Sequence, residues 1–390
     1  MAHVVDSIAL GGIVSVRDRL LHQQAQGKKV FRLESGDPSF SVPPHVLEAI
    51  EKALRDGHTH YTAGAGIPPL REAIFRKLRD RNGLPLSGPE QCFVTNGAMN
   101  GLYVAFRALC EPGDEVIVPD PTWTETADNV LLAGGVPRRV RLDEARGYRY
   151  EAAAIEAAVG PRTRAIVINS PHNPTGLVID RSGLQAILEV ASRHGLWVLS
   201  DEAYEHVLFD GNEHVSAGSL GYDRVLSIYS MSKSYAMSGL RVGYLACPDE
   251  ALAERIVKLL RCTINGVNSA TQWGAAAALN GPQDATVAMA AEYRQRRDAL
   301  WAGLQGVSAL QPFRPAGAFY LWARIADGWR APDGTAGGWA MTSYLIEKAG
   351  IGSAPGEVFG PAGEGHVRFA FSCATEQVLA AARLLPDLLR

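Results

Sequence analysis

The chain has 390 residues, with 38 lysines and arginines against 41 aspartates and glutamates, a formal net charge of −3. That length exceeds what one hydrophobic core supports, so a large domain with a smaller one is expected. No basic excess exists to mark a nucleic-acid surface, and the 47% hydrophobic content is that of an ordinary globular protein.

The five cysteines, Cys92, Cys110, Cys247, Cys262 and Cys373, are dispersed without a C-x-x-C pair. They predict buried small side chains rather than a disulfide framework or a zinc site. The first residues, Met1 to Asp6, lack a basic segment, and Asp6 interrupts the apolar stretch that a signal peptide needs. No uncharged apolar run approaches the ~20 residues of a membrane span. The expectation is a cytoplasmic protein with neither nucleic acid nor membrane as a partner.

In chain order, residues 1–44 hold few buried-strand runs and predict an N-terminal arm with part of a small domain. From there to residue 290, short apolar or β-branched runs alternate with helical patterns. The runs are Cys92–Thr95, Val116–Val118, Val136–Arg141, Ala165–Asn169, Trp197–Ser200, Val225–Tyr229 and Val242–Ala246. Helical patterns cover Gly97–Ala108, Ser182–His194 and Glu250–Arg261. Continuous apolar runs between helices predict an α/β domain around a mostly parallel seven-stranded sheet sandwiched by helices. Residues 291–390, beginning with the polar helix Ala291–Gly303, predict a smaller α+β domain completed by the N-terminal arm, with Ala331–Gly338 as an exposed loop.

Ligands of open α/β sheets bind beyond the carboxyl ends of the strands. Behind Ala165–Asn169 comes Ser-Pro-His-Asn-Pro-Thr-Gly with Asn173 in a proline-bounded turn; behind Trp197–Ser200 come Asp201 and Tyr204. Behind Val225–Tyr229 come Ser230, Ser232, Lys233 and then Arg241, and behind Cys92–Thr95 a helix opens at Gly97-Ala98-Met99. A helix N-terminus, hydroxyls and an arginine suit a phosphate. Lys233 can form an imine once its amine is neutral, and Asp201 can keep a pyridine nitrogen protonated. Asn173 and Tyr204 can donate to a ring hydroxyl, and Trp123 can stack on a ring face. Together these residues fit a phosphorylated, electron-withdrawing cofactor.

Each residue also has a plainer reading. Asp201 could cap a helix, Asn173 could serve its turn, Arg241 and Arg368 could form salt bridges, and Trp123 could be core. The ten histidines contain no H-x-x-x-H or H-E-x-x-H, so they predict surface or local structure and no metal.

The combined stretches resemble the class I and II aminotransferases of pyridoxal-5′-phosphate (PLP) fold type I. They are Leu33-Glu-Ser-Gly-Asp-Pro-Ser-Phe, Tyr61-Thr-Ala-Gly-Ala-Gly-Ile, Asn169-Ser-Pro-His-Asn-Pro-Thr-Gly and Ser200-Asp-Glu-Ala-Tyr. Ser230-Met-Ser-Lys-Ser, Ser238-Gly-Leu-Arg-Val-Gly, Pro315-Ala-Gly-Ala-Phe-Tyr, Pro355-Gly-Glu-Val-Phe-Gly and Val367-Arg-Phe complete the series in the family's order.

The resemblance implies a ping-pong aminotransferase passing an amino group from an L-amino acid to a 2-oxo acid, with PLP as a Schiff base on Lys233. It makes Lys233, Asp201 and Tyr204 catalytic. Gly97, Ala98, Met99, Trp123, Asn173, Ser230, Ser232 and Arg241 join them around the cofactor. Arg368 grips the substrate α-carboxylate, with Gly36 and Asn173 beside it. Tyr61 reaches the phosphate of a neighbouring subunit's site, which implies a homodimer with shared active sites.

Two departures bear on the substrate. Where part of the family places a lysine for a distal carboxylate, this chain has Met99, and the segment Ile8–Val14 is uncharged. A neutral or apolar side chain is therefore expected rather than aspartate, with Thr126 as the polar residue following the stacking aromatic. The same fold also supports β- or γ-elimination, cyclisation or oxidation, and these alternatives share every residue named. A non-catalytic PLP-sensing regulator is disfavoured: the Gly-Asp-Pro motif begins at Gly36, with no room ahead of it for a DNA-binding domain. A dead scaffold is opposed by the presence of Lys233, Asp201, Arg241 and Arg368.

Overall fold

A computed structural model describes residues 4–8 and 11–390. Seven strands form the larger sheet: β1 (Cys92–Thr95), β2 (Glu115–Asp120), β3 (Val136–Arg141), β4 (Thr163–Asn169), β5 (Trp197–Asp201), β6 (Val225–Ser230) and β7 (Gly243–Ala246). Their order is β1-β7-β6-β5-β4-β2-β3. The strands β6, β5, β4, β2 and β3 pair parallel in succession, whereas β7 is antiparallel to both its neighbours. Six strands thus run one way and β7 the other.

Helices cover both faces, which is why the inner strands are apolar throughout. On one side the helices Gly97–Leu109 and Glu250–Thr263 pack Phe106, Leu102, Ile256 and Leu260 against Val116, Leu199 and Leu245. On the other, Pro68–Asp80 and Ser269–Asn280 pack Leu70, Ile74 and Ala275 near Val94 and Tyr244. Burying one such large aliphatic side chain is worth roughly 1.5–3 kcal/mol. The helix Arg181–His194 shows the local code: the Asp180 carboxylate accepts from the Gly183 N–H at its start, and Gly195 ends it at φ 65°.

The second sheet is antiparallel, in the order β10-β11-β9-β8, built from β8 (Leu310–Phe313), β9 (Tyr320–Ile325), β10 (Ala354–Pro355) and β11 (His366–Ala370). Its core joins Leu321, Phe369 and Val367 to the helices Asp284–Leu304 and Thr375–Leu388. The N-terminal segment returns to this part of the chain through a parallel bridge between Phe31 and Ile351. The helix read from Ala291 begins earlier, at Asp284, and the helix after the 331–338 loop begins at Gly338.

Among the described residues, no helix is long and apolar enough to cross a membrane. Cys92, Cys110 and Cys247 are buried, Cys373 is half-buried and Cys262 is exposed. The histidines are less superficial than the sequence suggests. His172 is fully buried, and burial drives its pKa down to about 3, so it is a neutral partner of the Thr175 hydroxyl at 2.8 Å. His366 is buried against Trp322.

Candidate active site

The reversal of β7 explains how the chemistry is assembled. Because β1, β4, β5 and β6 point the same way, the residues after their carboxyl ends emerge at one edge of the sheet. Arg241 precedes β7, and since β7 runs backwards its start lies at that same edge: Gly243 pairs with both Thr95 and Ser230. The cavity at this edge is about 290 Å³ and is lined by Ala98, Met99, Trp123, Asn173, Asp201, Tyr204, Ser230, Ser232, Lys233, Arg241, Gly36 and Arg368.

One wall is the start of the helix Gly97–Leu109. Asn96 at its N-cap makes no side-chain hydrogen bond to the first turn, so the turn's N–H groups are not capped by that side chain. Gly97 has φ +77°, and a Cβ there would lie 2.4 Å from Arg241 Nη2, so only glycine lets the guanidinium sit beside the helix start. Arg241 is itself left-handed, at φ 55°. Its Nη1 donates to the Ser238 carbonyl at 2.8 Å and its Nη2 to the Asn96 carbonyl at 3.4 Å, which orients the charge. Ser230 Oγ accepts from the Ser232 N–H at 3.1 Å and keeps its own proton to donate. These groups can hold a phosphate.

Lys233 Nζ lies across the cavity and donates to the Gly36 carbonyl at 2.6 Å. Its pKa falls to about 8, chiefly through desolvation and with help from Arg368 and Arg241, although Asp37 and Asp201 pull the other way. Asp201 is buried, and its pKa rises to about 7, mainly through desolvation and then through Glu202, against a bond from the Ala203 N–H and the charge of Lys233. A cation facing this carboxylate would favour its ionised form.

Arg368 stands on β11, opposite Trp322 of β9. It is 2% exposed, donates to the Asn173 side-chain oxygen at 3.0 Å and to the Glu34 carbonyl at 2.7 Å, and packs 4.3 Å from the Tyr320 ring. Among the described residues its Nε is buried with no hydrogen-bond partner, a donor left over for a ligand. A Cβ at Gly36 would lie 2.0 Å from the Tyr320 hydroxyl, so glycine is required for the chain to pass there.

Of the predicted residues, Gly97 sits just behind the lining, at the helix start, and Tyr61 lies apart from this cavity altogether. It is 91% exposed and lines a separate depression with His58, His60 and Asn265. Thr126 is not a lining residue either: it is buried, and the polar group following Trp123 that faces the cavity is Glu125. Of the segment Ile8–Val14, Ala9 and Leu10 lie outside the described residues, while Ile13 and Val14 line the cavity.

The sequence reading missed Asn169, Tyr320, Ser35 and Glu125, which are all cavity residues. Asn169 accepts from the Asn173 N–H at 2.8 Å and donates to the Asp201 carbonyl at 3.0 Å, locking two of the predicted residues together. Tyr320 and Tyr204 share a hydroxyl–hydroxyl bond of 2.9 Å. Asn169 ends a predicted strand and Tyr320 ends a quoted motif, so position after a strand and motif membership were the available signals.

Behind Asp201 lies a buried polar network. Glu202 accepts from Ser200, Ser216 and His214, and Glu205 is paired with Lys77 at 2.5 Å. Glu202, Glu205 and His214 have ligand atoms within 4.8 Å of one another, but Lys77 already supplies the cation there.

The aminotransferase class I and II family model matches residues 28–385. The chain is 36% identical to the aspartate/prephenate aminotransferase of Thermus thermophilus over 96% of its own length and 94% of the relative's. It is 37% identical to an arginine–pyruvate transaminase of Pseudomonas aeruginosa, over 94% of this chain and 91% of that one. The structure is similar to that of the Thermus thermophilus aspartate aminotransferase with maleate, at TM-score 0.91 and 34% identity over 100% of this chain and 99% of that one. The fold is therefore PLP fold type I and the cofactor is pyridoxal 5′-phosphate. With that match spanning nearly its whole length, the chain belongs to the class I and II aminotransferases and is a PLP-dependent transaminase.

Proposed function

We propose that this aminotransferase carries its cofactor on Lys233 and moves the amino group of an L-amino acid to a 2-oxo acid by a ping-pong cycle in one site. The observation that carries the reading is the meeting in one cavity of three groups: the desolvated Lys233 amine, the buried Asp201 carboxylate and an arginine with a spare donor.

PLP supplies an aldehyde and an electron-withdrawing ring. The first turn after Gly97, with Ser230, Ser232 and Arg241, holds its phosphate, and Asp201 holds a proton on its ring nitrogen. The Asn173 side-chain oxygen is engaged by Arg368, which leaves its amide N–H groups, with Tyr204 Oη, for the ring hydroxyl. Trp123 stacks on the ring. Arg368 takes the substrate α-carboxylate beside Gly36. With PLP bound, Lys233 Nζ would be the base that takes the proton from the substrate α-carbon and returns it.

Tyr61 supports a homodimer with shared sites, because it is highly exposed and lies away from its own chain's cavity. The larger sheet within residues 45–290 and the smaller one within 291–390 support a division into large and small domains, with 1–44 as the arm. We place the protein in the cytoplasm, on the dispersed cysteines.

The test is the absorbance spectrum of the purified holoenzyme as single amino acids are added without any 2-oxo acid. Stoichiometric conversion of the lysine-bound band to the pyridoxamine form, with one 2-oxo acid released per site, is the expected result. A band that returns while ammonia, a leaving group or peroxide accumulates would assign the site to elimination or oxidation instead.

A further inference from the structure

Once the site's charges have been given tasks, one carboxylate remains. Arg241 faces the phosphate, Arg368 the α-carboxylate, Lys233 the reacting carbon and Asp201 the ring nitrogen. Glu125, the second residue of the helix Thr124–Leu132, lines the same cavity and has none of these roles. Among the described residues it accepts from the neighbouring Thr124 hydroxyl and forms an ion pair with no lysine, arginine or histidine. Its charge is felt at the Arg368 guanidinium and at Tyr320, so it stands toward the substrate end of the cavity.

The cavity that Glu125 lines also carries apolar side chains. Met99, Ile13 and Val14 line the cavity with it, and Trp123 lies two residues before it. A carboxylate closed into such a place against a neutral side chain loses water and gains no partner. An acidic side chain would be repelled. A chain of methylenes along Met99, Ile13 and Val14, ending in a cation at Glu125, satisfies both surfaces. The expectation of a neutral side chain rested on Met99 and the N-terminal segment and left Glu125 out.

We infer that Glu125 is the specificity residue of this enzyme and selects an amino donor whose side chain is an apolar stem ending in a guanidinium or ammonium group. The inference rests on the transaminase reading above, whose failure the experiment separates from its own.

The holoenzyme is assayed for single-turnover conversion to the pyridoxamine form with arginine against citrulline and with lysine against norleucine. Each pair differs in charge at nearly constant shape. In parallel, calorimetry compares binding of 5-guanidinopentanoate with 5-ureidopentanoate, ligands that lack the reacting amine. The wild type is expected to favour the cation by at least about tenfold in rate constant and affinity, and Glu125→Gln to bring both ratios to within about threefold of one. Ratios within one pair cancel general damage to the variant. A wild type indifferent to charge, or a preference that survives Glu125→Gln, overturns the inference while leaving the transaminase intact. Absence of any lysine-bound band overturns the transaminase reading and this inference with it.

Discussion

The lowered pKa of Lys233 has a direct consequence. Below about pH 8 its amine is protonated and cannot attack an aldehyde; above it the amine is neutral. Protein stripped of cofactor is therefore expected to recapture PLP at a rate that rises with pH through about 8 and then levels, measured by stopped-flow absorbance. An ordinary lysine would leave the rate climbing toward pH 10. In the proposed role Asp201 acts on a neighbouring charge, so Asp201→Asn keeps its shape and removes its effect. A loss of kcat of roughly 10²–10³ is expected, with much smaller change in binding of a carboxylate inhibitor at Arg368. An equal loss in both would mean Asp201 only shapes the cavity. Asp201 was legible in the sequence because it directly follows the apolar run Trp197–Ser200, and Lys233 because it sits in the short serine-rich turn behind Val225–Tyr229. Glu125 was not, since which helix face meets the cavity is settled only by packing between elements distant in sequence.

Among elements, the contact between the helix Pro68–Asp80 and the segment after β5 depends on the buried Lys77 and the mostly buried Glu205. Burial alone would push the Glu205 pKa up, but Lys77 above all, with His206, His214 and Asn82, holds it well below the usual carboxylate range. Lys77→Met strands that carboxylate and is expected to destabilise the protein by about 3–5 kcal/mol; adding Glu205→Leu should restore much of the loss. Thermal melting of the two variants gives the comparison, and a double variant no better than the single would mean the helix contact, not the charge, matters. Because the folded state depresses this acid, its stabilising contribution is present above pH 4.5 and is lost as pH falls below it.

The larger sheet was readable at this scale, its strands coinciding with the predicted runs at most ends and departing by one or two residues at the others, because strands buried on both faces write continuous apolar sequence. The smaller sheet was not: β8 is Leu-Gln-Pro-Phe, β10 is two residues long, and β9 and β11 carry arginines that break the apolar run. The reversed direction of β7 was equally invisible, since a strand's sequence does not say which way it runs.

For the whole molecule, the proposed homodimer would bring the exposed Tyr61, which lies outside the cavity of its own chain, to the site of a second copy. Sedimentation is expected to show a dimer at micromolar concentration, and Tyr61→Ala to release PLP more readily than wild type while remaining dimeric. A fully active monomer would contradict the shared site.

The central claim is that Lys233 is the residue bearing the cofactor. Borohydride reduction of the purified holoenzyme, followed by peptide mapping by mass spectrometry, fixes the cofactor wherever it is attached. The account predicts one pyridoxyl label per chain, on the peptide containing Ser232-Lys233-Ser234, and none in Lys233→Ala. A label on another lysine, or no label from protein saturated with PLP, would contradict it.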